Sequence, residues 1–153
     1  DDLVDDGVID RIGLSNFTPD QLDEALDRLD HDVFAHQVEC HPLLQQRELR
    51  EYAVEHDHWL VAYSPIARNR VADVDVLREI AADRDATPAQ VSLAWLRSKE
   101  RVAPIPKAAD FGHIEENWAA REIDLTDDQI ARIDALDRDE RIVDFEEASW
   151  NEG

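Results

Sequence analysis

Methionine is absent from all 153 residues, cysteine occurs once and lysine only twice, at Lys99 and Lys107. The lone Cys40 excludes an internal disulfide and fits a reducing cytoplasm, where a small core side chain is the expected role rather than a reactive thiol. No apolar run approaches the length of a membrane span, and no segment has the layout of a secretory signal. Positive charge is scarce as well. Sixteen Lys and Arg face 37 Asp and Glu, for a formal net charge of −21 at pH 7. A polyanion would be repelled by such a surface, so nucleic acid is not an expected partner. The acid is spread along the chain, as in Asp1-Asp2, Asp5-Asp6, Asp127-Asp128 and Glu146-Glu147, rather than gathered in a tail. Uniform acidity points to a solvation adaptation and a salt-rich cytoplasm, because salt relieves the self-repulsion.

The start of the chain also lacks something. An initiator methionine before aspartate is normally retained, so Asp1 is not the expected natural start. Asp1 to Asp6 read as the last turns of a helix ended by Gly7, with no cap before them. A preceding segment is therefore expected. A 43% hydrophobic content over this length suits one domain, 1–153. Residues 142–153 are expected to form a loose tail, unless Phe145 and Trp150 contribute to a substrate pocket.

What is present alternates strand and helix. Arg11 to Leu14, Val33 to Cys40, Trp59 to Tyr63 and Val102 to Ile105 read as strands. Thr18-Pro19 caps a helix with Leu22, Ala25, Leu26 and Leu29 on one face. Leu49, Tyr52, Ala53 and His56 mark the next. Two helices follow the third strand, one with Leu77, Ile80 and Ala81, the other opened by Thr87-Pro88 and carrying Val91, Ala94 and Trp95. A further helix runs from Ile114 to Ala120, and Thr126 with Gln129 opens the last. This order predicts an α/β fold of parallel (β/α) units with right-handed crossovers. Periodicity alone is equally consistent with an open doubly wound sheet and with half of an eight-stranded barrel.

In either architecture, ligands gather where strands end. Here those ends read Ser15-Asn16-Phe17, Gln37 to Pro42, Tyr63-Ser64-Pro65 and Pro106-Lys107-Ala108. Ser15, Asn16 and Gln37 offer neutral donors and acceptors suited to a carboxamide. Tyr63 offers a flat face for an aromatic ring, and Lys107 a cation for phosphate. His36, Cys40 and His41 do not make a metal site, since alternate strand residues point to opposite faces; no metal is expected. His31, His56 and His58 lie in polar connections and read as solvated.

At the strand ends the resemblance becomes specific. Gly7 to Phe17 resembles the Gly-x-x-x-x-Ile-Gly-x-Ser-Asn-Phe segment of the aldo-keto reductases. His36 to Gln46, His-Gln-Val-Glu-Cys-His-Pro-Leu-Leu-Gln-Gln, resembles their Asn-Gln-Ile-Glu-Tyr-His-Pro-x-Leu-Gln-Gln. Ala62 to Ile66 is similar to Ala-Tyr-Ser-Pro-Leu, and Ile105-Pro106-Lys107 followed by Glu116-Asn117 is similar to Ile-Pro-Lys-Ser and a later Glu-Asn. The likeness covers nearly the whole chain in order and is nearest to the diketogluconate and aldehyde reductase type.

The resemblance implies the second half of a TIM barrel and an NADP or NAD cofactor. Ser15, Asn16 and Gln37 would hydrogen-bond the nicotinamide carboxamide, and Tyr63 would stack on its ring. Ser64, Ile66 and Arg68 would follow the pyrophosphate and ribose. Lys107 would meet the adenosine ribose or its 2′-phosphate, with Glu116 and Asn117 at the adenine. Two positions depart from the pattern. Ala108 stands where many members have Ser, and His113 where many have Arg, removing a hydroxyl and a permanent cation. The family's catalytic Asp, Tyr, Lys and His lie upstream of the segment that begins here at Gly7. No residue of this chain matches them, so the chain alone is expected to be inactive. A small carbonyl substrate is expected only with the first barrel half present. Two alternatives remain beside a truncated reductase: a non-catalytic dinucleotide-binding or interaction module, and one subunit of a split enzyme. Self-association through open sheet edges is expected.

Overall fold

A computed structural model of the chain describes residues 1–144, 148 and 150. Strands β1 (Ile12–Ser15), β2 (Val33–Glu39), β3 (Trp59–Tyr63) and β4 (Val102–Pro104) form one sheet in the order β1-β2-β3-β4. Every neighbouring pair is parallel. A short helix, α1 (Asp2–Asp5), precedes the sheet and gives way to Gly7, whose φ of +67° suits glycine. Helices α2 (Pro19–Arg28) and α3 (Arg47–Glu55) make the first two crossovers. The third is longer, with a 3-10 segment (Ala67–Asp73), α4 (Asp75–Asp83) and α5 (Pro88–Arg97). After β4 come α6 (Phe111–Ala119), a 3-10 turn (Ala120–Glu122) and α7 (Asp127–Asp134).

Local sequence explains where several helices begin. Thr18, Thr87 and Thr126 each accept the amide of the residue three on, while Gln21, Gln90 and Gln129 reach back to the threonine's own amide. These are reciprocal capping boxes, two of them with Pro at the first helical position.

Alternation then assigns the sheet faces. Leu14, His36 and Leu60 share one register, and Ser15, Gln37 and Val61 the next. Val38, Leu60, Ala62 and Val102 point into a core completed by Leu77, Ile80, Trp95 and Ile133. The opposite face carries Gly13, Ser15, Gln37 and Trp59, all exposed. The helices therefore cover one face and leave the other open. Strands β1 and β4 each have one neighbour among the described residues.

Polar groups tie the helices together. Asp134 of α7 accepts the Trp95 indole N–H at 2.8 Å and the Lys99 ammonium at 2.7 Å. Partial burial opposes charge on Asp134, but these two donors outweigh it and hold its carboxyl below the usual range.

Some expectations are corrected. His58 is not solvated but 1% exposed, enclosed between β2, β3 and α3 because its neighbours place it at the start of β3, on the covered face. His31 is half-buried against Asp5 at 2.9 Å, and His56 is exposed but stacked on Tyr52. The strands end one residue earlier than read at Cys40 and Ile105, and β1 runs one residue later. Of the span 142–153, residues 145–147, 149 and 151–153, Phe145 among them, lie outside the described residues. Ile142 and Val143, by contrast, are held by the carboxylate of Glu39.

Candidate cofactor site

Parallel strands place all their carboxyl ends at one rim, so the loops after β1, β2, β3 and β4 meet there. At the β1 end the backbone turns sharply. Asn16 sits in the left-handed region at φ +60°, and its amide donates to the Gln37 carbonyl at 2.9 Å. The Ser15 hydroxyl donates to the same carbonyl at 3.2 Å. Two residues on, the Phe17 amide donates to Nε2 of His36 at 3.1 Å. Ser15 and Gln37 thus stand side by side on the open face, with Asn16 at the rim.

Tyr63 ends β3 on that same face, in register with Glu39. Its hydroxyl is buried with no hydrogen-bond partner among the described residues. Burial first, and the nearby Glu39 charge second, push its pKa above the ordinary phenol value. Tyr63 is therefore a neutral ring at the rim, suited to stacking and unsuited to giving up a proton.

The chain leaves β3 through a strained ledge. Ser64, Ala67, Arg68 and Asn69 all have φ between +48° and +72°, without a glycine among them. Left-handed non-glycine residues cost on the order of 1–2 kcal/mol each, so the surroundings must hold them. Ser92 of α5 does so by donating to the Pro65 carbonyl at 2.6 Å, and Ala67 and Val71 are fully buried. No sequence signal announced this ledge, because glycine, its usual marker, is missing.

Beyond the ledge lies a cleft of about 530 Å³. Ile66, Lys107, Ala108, His113, Glu116 and Asn117 all line it, so six of the residues singled out in the sequence come together. Ser64 and Arg68 flank it without lining it. Two features modify the expectation. Asp110 caps α6, accepting the amides of Gly112 at 2.9 Å and His113 at 3.3 Å, and places a carboxylate on the cleft wall. Glu116 accepts the Thr87 hydroxyl at 2.6 Å and, through its carbonyl, the Gln90 side chain at 3.0 Å. Part of its acceptor capacity is spent on joining α6 to α5.

Sequence reasoning missed the group that organises the β2 end. Glu39 is fully buried, with one oxygen 3.0 Å from His41 Nε2 and 2.9 Å from the Ile142 amide. The other oxygen accepts the Val143 amide at 3.0 Å, with the Arg141 guanidinium at 3.9 Å. Burial opposes its charge, yet His41 and these amides more than offset that and keep its carboxyl below the usual range. A carboxylate on an otherwise covered strand end was the available signal, but apart from His41 its partners lie a hundred residues away. The Glu140 amide donates to the Leu43 carbonyl at 2.9 Å, extending the same clasp. Arg141 covers the Trp150 ring at 3.9 Å, and the indole N–H donates to Asp144 at 3.1 Å. A second cavity, about 410 Å³, lies between this segment and the Asn16 turn. Among the described residues, no group of three or more His, Cys, Asp or Glu is arranged to hold a metal ion. Cys40 is fully buried, and burial pushes its thiol up to about 12, which keeps it inert.

Comparison with known proteins gives one family. The model of the aldo/keto reductase family matches residues 1–138. The 9,11-endoperoxide prostaglandin H2 reductase of Trypanosoma cruzi is 36% identical over 143 residues, which are 92% of this chain and 50% of that protein. The glyoxal reductase of Bacillus subtilis is 37% identical over 140 residues, with the same shares. Among solved structures, the thermostable aldo-keto reductase Tm1743, crystallised with the inhibitor epalrestat, superposes with a TM-score of 0.83 at 35% identity. That likeness covers 88% of this chain and 51% of the other. The chain therefore spans about half the length of the curated relatives it matches. With a family model that matches residues 1–138, curated relatives more than a third identical and a solved structure of like fold, the chain belongs to the aldo/keto reductase family.

Proposed function

We propose that this chain is the cofactor-holding half of an NAD(P)H-dependent aldo-keto reductase, whose full form reduces an aldehyde or ketone to an alcohol. One observation carries the reading: the residues singled out for the two ends of the dinucleotide occupy one rim of the sheet. Ser15, Asn16, Gln37 and Tyr63 stand at one end of it, and six more line a cleft at the other. The donors suit the ligand. A neutral carboxamide calls for uncharged hydrogen-bonding groups, and Ser15, Asn16 and Gln37 provide them. A flat nicotinamide ring calls for a flat partner that stays neutral, as the buried Tyr63 hydroxyl ensures. A phosphate calls for a cation, and Lys107 is the lysine on the cleft wall. The bound reduced cofactor would supply the hydride; the chain's part is to bind and orient it.

Reduction also needs a proton for the developing alkoxide, and the chain's own candidates are committed elsewhere. The Tyr52 hydroxyl donates to Asp23 at 2.6 Å, Lys99 is paired with Asp134, and Tyr63 is raised away from acidity. The chain by itself therefore binds the cofactor without turning over carbonyls. Lys107 favours the 2′-phosphorylated form, NADP, while Ala108, His113 and the Asp110 carboxylate diminish that preference. Titration of folded chain in molar KCl, read by tryptophan fluorescence, should show saturable binding of NADPH, weakened by Tyr63→Ala. Aldehydes added to that mixture should leave the reduced cofactor's absorbance unchanged. No saturable binding by folded protein, or steady turnover above that of Tyr63→Ala, would overturn the reading.

A further inference from the structure

Behind the Asn16 turn lies a pair of buried histidines that the cofactor reading leaves unused. His36 is fully buried, and its Nε2 receives the Phe17 amide at 3.1 Å. A ring nitrogen that accepts must carry no proton, so this imidazole is neutral with its hydrogen on Nδ1. That Nδ1 is itself buried with no partner among the described residues. The His58 ring stands 6.3 Å away, edge-on, and both its nitrogens are buried without a partner. Tyr52 and His56 of α3 complete the surroundings: Tyr52 lies 5.9 Å from His58 and stacks on His56 at 4.1 Å. From α2, Asp23 faces this group only through its bond to the Tyr52 hydroxyl. No carboxylate bonds either buried imidazole among the described residues, so nothing there compensates a positive charge.

We propose that His36 is a positioning residue for the nicotinamide end of the site: its neutral ring, by accepting the Phe17 amide, fixes the left-handed turn that presents Ser15 and Asn16, and it does so only while uncharged. The sequence places His36 where the resembling segment has Asn, a side chain that accepts but does not titrate. Protonation of Nε2 would set N–H against N–H and add a cation beside a second buried imidazole. Burial, then the neighbouring His58, holds the His36 pKa down to about 4 from 6.5. The sign follows from linkage. Above 6.5 the ring is neutral whether the turn is held or released. As pH falls from 6.5 towards 4, the released ring takes up a proton that the held ring refuses, so the held turn loses stability through that window.

The part concerning Ser15 and Asn16 rests on the proposed cofactor reading; the hold on Phe17 does not. Two readouts separate them. Amide exchange of the cofactor-free chain in molar KCl, corrected for intrinsic rates, should show Phe17 protection falling roughly ten-fold per pH unit within the window, while Leu60 in β3 stays protected. His36→Asn should flatten that dependence. If His36→Asn fails to fold, the wild-type profile and nitrogen-15 shifts of the His36 ring still decide. Phe17 protection independent of pH, or a His36 ring found charged at neutral pH, overturns the proposal. Binding of the oxidised cofactor, compared at each pH between the wild type and His36→Asn, reads the second part. Wild-type affinity should drop below pH 6.5 relative to the variant. Parallel profiles overturn the positioning role alone, whereas absence of binding at neutral pH with Phe17 still protected overturns only the cofactor reading.

Discussion

Lys107 and Glu39 carry opposite charges to the same rim, and each makes a prediction at the scale of one side chain. If Lys107 meets the 2′-phosphate, Lys107→Ala should weaken NADPH binding more than NADH binding, because NADH offers no such group. Ala108→Ser and His113→Arg should each strengthen NADPH binding; a charge-assisted contact is typically worth about 1.5–3 kcal/mol. Calorimetric titration of both cofactors would check this, and equal effects on the two would place Lys107 elsewhere. Glu39 acts on the protein itself. Glu39→Gln leaves His41 without its anionic partner and the Ile142 and Val143 amides with a poorer acceptor. Weakening these hydrogen bonds to a charged acceptor should cost about 1.5–3 kcal/mol, felt first as faster exchange at those two amides. Because the Glu39 pKa is depressed on folding, its contribution is present above the ordinary 4.5 and is lost as pH falls through the lower folded value. Wild-type exchange at Ile142 and Val143 should therefore step upward on acidification below 4.5, and the step should vanish in Glu39→Gln. A step that survives the substitution would assign it to another group.

Helix α5 shows how an element can serve two contacts with one residue. Thr87 accepts the Gln90 amide as a cap and donates to Glu116 of α6, whereas among the described residues the Thr18 hydroxyl makes its cap alone. Thr18→Ala should cost about 1 kcal/mol and Thr87→Ala about twice that. Urea unfolding at fixed molar KCl would compare them, and equal losses would mean that the bond to Glu116 adds nothing. Elements of this kind were largely legible in the sequence. The helix starts at Thr18, Thr87 and Thr126 and the extent of β3 follow from short-range spacing, whereas the face shared by Ser15, Gln37 and Tyr63 depends on the register between strands. The lining of the cleft was legible only in part that way: Lys107 sits just past β4, whereas His113, Glu116 and Asn117 lie on α6 and were singled out by the resemblance. Three features were not. The ledge at Ala67 to Asn69 is held in left-handed conformations by burial of Ala67 and Val71, which no local pattern encodes. His58 follows His56-Asp57 and reads as surface until the sheet alternation is known to turn it inward. Glu39 and His36 owe their roles to partners supplied by distant backbone, so their type and position alone left them unassigned.

Over the whole molecule, charge and exposed apolar surface pull in opposite directions. The net charge of −21 opposes compaction in dilute buffer, and molar salt, with a screening length of roughly 3 Å, removes most of that opposition. Circular dichroism should show secondary structure rising into the molar KCl range; a fully folded chain at low salt would refute the solvation argument. The same salt removes the barrier to association. Strands β1 and β4 offer unpaired edges among the described residues, and Ile105, Phe111, Ile114 and Trp118 are between 45% and 72% exposed along β4 and α6. Sedimentation at molar KCl should therefore find self-association, and a compact monomer with protected amides on both edges would argue against it. The three capping boxes stand apart from this balance. In a chain with 37 acidic residues, the position that reaches back to the cap is Gln every time and never Glu. A glutamate there would gain from the helix dipole in fresh water and lose that gain in brine. An amide is indifferent to both. The punctuation of the chain is thus written in uncharged letters, so the points at which these helices open stay the same across solvents that decide whether the rest of the molecule assembles at all.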